Sequence, residues 1–328
     1  MDLRLALYEL AAQHQLDAAA TKKLQDLAGI NREPAQLAYW LPRGVAVLAA
    51  ALGGLGIIFW IAANWDTLGR FGRFALLQCV FLVMCAGALL KPAARTPLSL
   101  LALLAIGGLF AYFGQTYQTG ADPWQLFAVW AVLALPLCLS VRSDVLWTPW
   151  ALVVVTGISL WIHAHTSHSW RVAPQDLRVF AIGWTATILL TFILSPMLQR
   201  LSGAGPWALR TAVTLGAVMI TTTALTALFQ RDALTLYWLG LLLLMVAAGG
   251  LASQQLFEIY GLSAVSLGLN FLLICGLARL LFNNNHGNDW IGSMLFLGLA
   301  AAGLLAGTVS VLLRLSRRQE NAGAGATT

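Results

Sequence analysis

The sequence predicts an all-α, polytopic integral membrane protein with about ten transmembrane helices and a small N-terminal cytoplasmic helical module. Three observations carry that prediction. Ten stretches of roughly twenty mostly apolar residues follow Gly44, each long enough at ~1.5 Å per residue to cross about 30 Å of hydrocarbon. Hydrophobic residues make up 59% of the 328 positions and charged residues only 10%, against roughly 25% charged in soluble domains. A water-soluble fold has no use for so little polar surface. The Lys and Arg residues are scattered singly between apolar segments, as membrane-flanking anchors are. The net charge of +6 therefore does not point to nucleic acid, which needs a basic face.

Residues 1–43 read as a separate cytoplasmic helical module. Leu3, Leu7 and Leu10, then Leu24, Leu27 and Ile30, recur at helical spacing. Asp17 is placed to cap a second short helix running to Gly29, a natural C-terminal stop. Pro34 and Pro42 bracket a third short segment ending at Tyr39 and Trp40, a pair suited to the membrane interface. Such a module offers a docking surface for a protein partner. The first apolar run is too long and too late for a cleavable signal peptide.

The polytopic domain spans 44–316. Its crossings are predicted at 44–63, 74–90, 98–118, 124–141, 145–163, 177–197, 206–229, 233–251, 259–282 and 290–313. Short connections make neighbours antiparallel. Residues 317–328 are small, polar and Gly/Ala-rich and are expected to be a disordered cytoplasmic tail. With the N-terminus in the cytoplasm, the larger share of the 19 Lys and Arg falls on that side, although Arg70 and Arg73 oppose it. Both termini are then cytoplasmic.

Every connection on the other face contains one aspartate: Asp66, Asp122, Asp176, Asp232 and Asp289. A tryptophan accompanies each, at Trp65, Trp124, Trp170, Trp238 and Trp290. The plain reading is helix capping by the carboxylates and interface anchoring by the indoles. In Asp122-Pro123-Trp124-Gln125 the order is cap, first-turn proline and capping-box glutamine. The functional reading gathers these groups, with His163, His165, His168 and His286, into a polar vestibule.

Two stretches exceed the capping background. In residues 62–74, Asn64 and Asp66 flank Trp65 at the end of a span, before an Arg/Phe alternation suited to lying in the interface. In residues 114–124, Gln115 and Gln118 share one helical face beside Tyr117, at a depth where unpaired amides are costly. Asn64, Trp65, Asp66, Gln115, Tyr117, Gln118 and Asp122 form the candidate polar site. Asn270, midway along the ninth span, joins them either as an interhelical clasp or as part of a solute path.

Those two stretches, with Leu126-Phe127, Trp130-Ala131 and Leu135-Pro136, resemble the predicted bacterial membrane proteins grouped as domain of unknown function 2157. The short helical module before the first span fits that group too. The resemblance is specific over roughly the first 140 residues and topological beyond them. One departure is His14-Gln15-Leu16, which stands where a Gly-containing turn is expected. The resemblance implies a polytopic protein of the bacterial inner membrane and carries over no catalytic or binding residues.

Within the spans, Thr211, Thr214, Thr221, Thr222, Thr223 and Thr226 are expected to bond back to their own helix carbonyls. Gly53, Gly54 and Gly56, Gly107 with Gly108, Gly249 with Gly250, and Gly303-x-x-x-Gly307 predict close helix contacts. Pro136 is expected to kink the fourth span. Glu258 is placed to cap the ninth. Cys79, Cys85, Cys138 and Cys275 all lie in apolar segments and read as packing residues. The histidine group at 163, 165 and 168 lacks the further ligands of a familiar metal pattern, so an exposed polar loop is the favoured reading.

No phosphate-binding loop, nucleophile elbow, zinc-protease motif or cofactor-binding pattern occurs. No Asp or Glu lies mid-membrane. The leading expectation is a transporter-like or channel-like protein that binds or moves a small polar or lipid-linked solute through a site on the extracytoplasmic side. The alternative is a non-catalytic accessory or assembly protein whose N-terminal module docks a partner. An enzyme using Asp66, Asp122 and a histidine for acid–base transfer ranks third.

Overall fold

The computed structural model describes residues 3–28, 35–63, 69–117, 120, 122–166, 172–230, 233–253, 256–284 and 290–325. Among them there are helices and turns and no strands. The helices are α1 (Leu3–Gln13), α2 (Ala18–Leu27), α3 (Ala35–Ala63), α4 (Arg70–Leu90), α5 (Arg95–Tyr117), α6 (Pro123–Val141), α7 (Asp144–His165), α8 (Leu177–Ile193), the single turn α9 (Gln199–Ser202), α10 (Pro206–Leu228), α11 (Leu234–Leu251), α12 (Ile259–Asn284) and α13 (Trp290–Gly325). Ten of these, α3 to α8 and α10 to α13, are long and apolar enough to cross a membrane. The protein is a multi-pass membrane protein.

Two short helices open the chain. Leu16 N–H donates to the Ala11 carbonyl at 3.0 Å and Gln15 N–H to that of Ala12 at 3.2 Å, the paired bonds that close a helix on a left-handed residue. That residue is Gln15, at φ +50°. The turn the sequence placed in doubt is therefore made with glutamine in a glycine position. Asp17 caps α2 as expected, its Oδ1 accepting the Ala20 N–H at 2.7 Å.

Helix boundaries differ from the sequence reading, at the start of α3 and the ends of α8 and α13 among others. The third short segment is not separate: α3 runs unbroken from Ala35 through Pro42 to Ala63, so the first crossing and its lead-in are one helix across the 43/44 boundary. α8 stops at Ile193 because Ser195 precedes Pro196, which disfavours a helical residue before it. α13 continues to Gly325, where residues 317–328 were expected to be disordered. A helix already nucleated in the membrane extends at little cost through Arg317, Arg318, Gln319 and Glu320.

Two helices organise the packing. α5 lies against α3, α4, α6 and α7, and α10 lies against α7, α8, α11 and α12. Each is flanked by the two crossings before it and the two after it, so the same local plan recurs four crossings later. Small residues let α10 take that position: Ala208, Ala212, Ala224 and Ala227 are fully enclosed. Without a hydrophobic force between helices in lipid, such close contact supplies the association energy.

Indoles tie neighbouring helices together. Trp130 Nε1 donates to the Leu103 carbonyl at 2.9 Å and Trp150 Nε1 to that of Ala131 at 2.8 Å. The Trp130 ring also occupies the space a side chain at Gly107 would need. Gly54 meets Leu104 as expected, but Gly53, Gly56, Gly249, Gly250, Gly303 and Gly307 have no neighbour near their missing Cβ. Those glycines do not mark contacts among the described residues.

Because ten crossings are an even number, both chain ends lie at one end of the bundle. We call it the termini end. The connections following α3, α5, α7, α10 and α12 lie at the opposite end.

Candidate functional site

The residues chosen from the sequence are placed unevenly. Asn64, Trp65, Asp66 and Gln118 lie outside the described residues. Gln115 and Tyr117 are exposed in the last turn of α5. The two stretches do meet: the Phe74 ring lies 4.6 Å from Tyr112 and 5.9 Å from Tyr117. Residues 70–74 are the first turn of α4 itself, not a separate segment lying in the interface. Phe71 is exposed, at 83%.

Asp122 takes the N-cap position of α6 with Pro123 in the first turn, but its carboxylate makes no capping bond. Only its carbonyl contributes, accepting the Gln125 N–H at 3.0 Å. Asp122 is exposed, and water satisfies the free N–H groups of an exposed helix start. Asp176 is buried and turned backward, accepting the Ala173 N–H at 3.2 Å. Neither side chain caps the membrane helix that follows it, α6 or α8, which corrects the expectation for both. Asp232 and Asp289 lie outside the described residues.

Asn270 is buried and bonded across helices. Its Nδ2 donates to Thr308 Oγ1 at 2.9 Å, and Thr308 in turn reaches the Leu304 carbonyl at 2.8 Å. The amide joins α12 to α13.

The capping carboxylate lies at the termini end, in a residue the sequence reading passed over. Asp144 opens α7, yet its oxygens serve α10: Oδ1 accepts from Gly205 N–H at 3.2 Å and Ala208 N–H at 2.9 Å, and Oδ2 from Trp207 N–H at 2.7 Å. Trp147 Nε1 donates to the Ser202 carbonyl at 3.0 Å beside it. Arg210 and Glu258 form a 2.9 Å ion pair between α10 and α12, with Arg210 over the rings of Trp207 and Tyr260. Glu258 also accepts the Gly261 N–H and so caps α12, as expected. At this end Asp144, Trp147, Arg210 and Glu258 each bond to a group on another segment of the chain.

The other half of the same helices holds a cavity of 480 Å³, lined by α7 and α10 and by Val172 and Phe180. It runs from Leu152 to Thr166, about 21 Å at the helical rise, towards the opposite end. Val218, on its wall at mid-span, is 54% exposed, so the cavity is a groove open to the lipid. Thr156, Ser159, His163 and Thr166 line it from α7 and Thr222, Thr223 and Thr226 from α10. Among the described residues no Lys, Arg, Asp or Glu does. Apolar Leu152, Leu160, Leu215 and Val218 make up much of the rest.

Each hydroxyl in the groove bonds to its own helix, as expected for Thr222, Thr223 and Thr226. Thr222 reaches the Val218 carbonyl at 2.9 Å, Thr223 that of Met219 at 2.8 Å and Thr226 that of Thr222 at 2.8 Å. Thr214 and Thr221 break the rule, since their buried hydroxyls find no partner. Thr221 is instead pressed against Gly268 of α12. A sequence signal for the groove existed: residues 156, 159, 163 and 166 repeat at intervals that put four polar side chains on one face of α7.

A helical pair of α1 and α2, then four crossings and the first turn of α7, make up the leading part of the chain. Residues 8–147 match the family model of a predicted membrane protein, DUF2157. The resemblance read from Asn64 to Pro136 is shown over that range. No curated protein and no solved structure matches the chain. The DUF2157 segment contains the polar stretches at 62–74 and 114–124 and ends at Trp147, in the turn that holds Asp144. The groove begins beyond it, at Leu152.

Proposed function

We propose that this protein binds, and passes across or along the membrane, an amphiphilic solute such as a lipid-linked one, using the groove between α7 and α10. The observation that carries this reading is the groove's make-up. A mid-membrane apolar floor continues into a row of hydroxyls and an imidazole towards one end of the bundle. An apolar chain is held against the floor by close van der Waals contact, and a polar head finds partners in the row. Lateral opening to lipid suits a ligand that arrives within the bilayer. Gln115, Tyr117 and Asp122 belong to the same end and supply an aqueous rim for the head. We take that end as the extracytoplasmic one, from the bias of Lys and Arg toward the termini end.

Reconstituted proteoliposomes test the reading. Uptake or flip of a fluorescent short-chain lipid should exceed that of empty vesicles, and filling the groove with Ser159→Leu and Thr223→Leu should abolish the excess. Transport that persists at full rate in a stably folded groove-filled variant sinks it.

One observation favours a second reading, an accessory protein that docks a partner through α1 and α2. Leu10 and Leu27 of these helices are 45% and 78% exposed, an unusual display for so small a unit. Removal of residues 1–28 should then release a stoichiometric partner while leaving lipid handling intact.

A further inference from the structure

We infer that the groove selects a headgroup that donates hydrogen bonds, hydroxylated or a primary ammonium, and rejects an anionic one. This deepens the amphiphile reading above and rests on it. What decides the selectivity is which atom in each groove bond carries the proton. Thr156 Oγ1 lies 2.8 Å from the Leu152 carbonyl, Ser159 Oγ 2.9 Å from that of Val155, and Thr166 Oγ1 3.3 Å from that of His163. The bonds of Thr222, Thr223 and Thr226 have the same form. A carbonyl oxygen has no hydrogen to give, so in all six bonds the hydroxyl is the donor.

A hydroxyl has one proton and two lone pairs. With the proton committed to the helix, what each of the six side chains offers a guest is an oxygen acceptor. Among the described residues, the imidazole of His163 is the one side chain on the wall with an N–H, and no ammonium or guanidinium lines it. A phosphate placed there meets six lone-pair oxygens in a low-dielectric setting, or must break helix bonds to be solvated. Both are costly for a desolvated anion. A glycerol, a sugar or a primary ammonium brings its own donors, and each oxygen can take one without any helix bond breaking.

The test uses the full chain in phosphatidylcholine nanodiscs, a lipid whose headgroup donates nothing. Three probes share one alkyl chain: dodecylglycerol, dodecylammonium and dodecyl phosphate. Saturable binding is measured above that of empty nanodiscs. Dodecylglycerol and dodecylammonium should bind at least tenfold more tightly than dodecyl phosphate. Replacing Ser159 by Ala with Thr222 and Thr223 by Val should shrink that gap to less than threefold, while Thr226→Ser, which keeps an oxygen, should preserve it. Dodecyl phosphate binding as well as the others, or a gap that survives the triple variant, overturns the inference and leaves the groove standing. Absence of saturable binding by every probe overturns the amphiphile reading itself, and this inference with it.

Discussion

Asp144 and Trp207 are joined by a 2.7 Å hydrogen bond that runs from the backbone of α10 to a carboxylate on α7. With the bonds to Gly205 and Ala208, one side chain serves all three N–H groups that this helix start leaves unpaired, since Pro206 in its first turn has none. The negative charge also faces the positive end of the α10 dipole. The hub of the second half of the bundle is thereby fastened to the helix that leads out of the first half.

Asp144→Ala should therefore destabilise the protein by about 2–3 kcal/mol, the range of charge-assisted bonds lost from a helix start. Asp144→Asn should lose less, because an amide oxygen still accepts. Thermal unfolding in nanodiscs, followed by tryptophan fluorescence, should rank Tm as wild type, then Asn, then Ala. An unchanged Tm for the alanine variant would refute the cap.

Gly203 holds φ at +68°, where an L side chain is strained by ~1–2 kcal/mol. A Cβ there would also collide with the side chain of Arg142. Gly203→Ala is expected to cost about 2 kcal/mol or more, read as a drop in Tm and in folded yield. Gly249→Ala, with open space around its Cβ, should change neither.

Gln15 invites the opposite change. At φ +50°, Gln15→Gly relieves left-handed strain and should stabilise the α1–α2 pair by about 1 kcal/mol. Hydrogen exchange of the amides in residues 3–27 should slow roughly fivefold. Faster exchange would show that the turn is not closed as described.

Asn270 and Thr308 should be energetically coupled. A double-mutant cycle with Asn270→Leu and Thr308→Val is expected to give about 0.6 kcal/mol, the usual size of an interhelical hydrogen bond in lipid. Additive effects of the two changes would mean that the clasp holds nothing.

The legible parts of the molecule were local. The crossings, the Asp17 cap, the Glu258 cap and the back-bonded threonines at 222, 223 and 226 each depend on residues within four positions of one another. Asp144 escaped for the complementary reason: it looks like an ordinary first-turn acid of α7, and its partners lie 61 to 64 residues away. Asp122 misled because its position satisfies the capping pattern while the carboxylate stays in water. The glycines at 303 and 307 match a helix-contact motif, yet only packing decides which glycines a neighbour reaches.

The groove was half visible. Its α7 face is a polar stripe in the sequence, but a stripe on one helix does not say which helix stands opposite, or whether the gap between them is filled. Ser159 and Met219, 60 residues apart in the chain, meet at 3.5 Å across it.

By itself the sequence determined that this chain crosses the bilayer ten times in helices. In lipid each segment must satisfy its own N–H and C=O groups, so length and apolarity settle the matter locally. Only the tertiary structure decided that α10 sits at the hub, that Asp144 closes its start, and that hydroxyls from two helices face a common groove. Those outcomes rest on steric fit between small and large side chains on different helices, and fit is a property of pairs of surfaces that no single stretch of sequence contains.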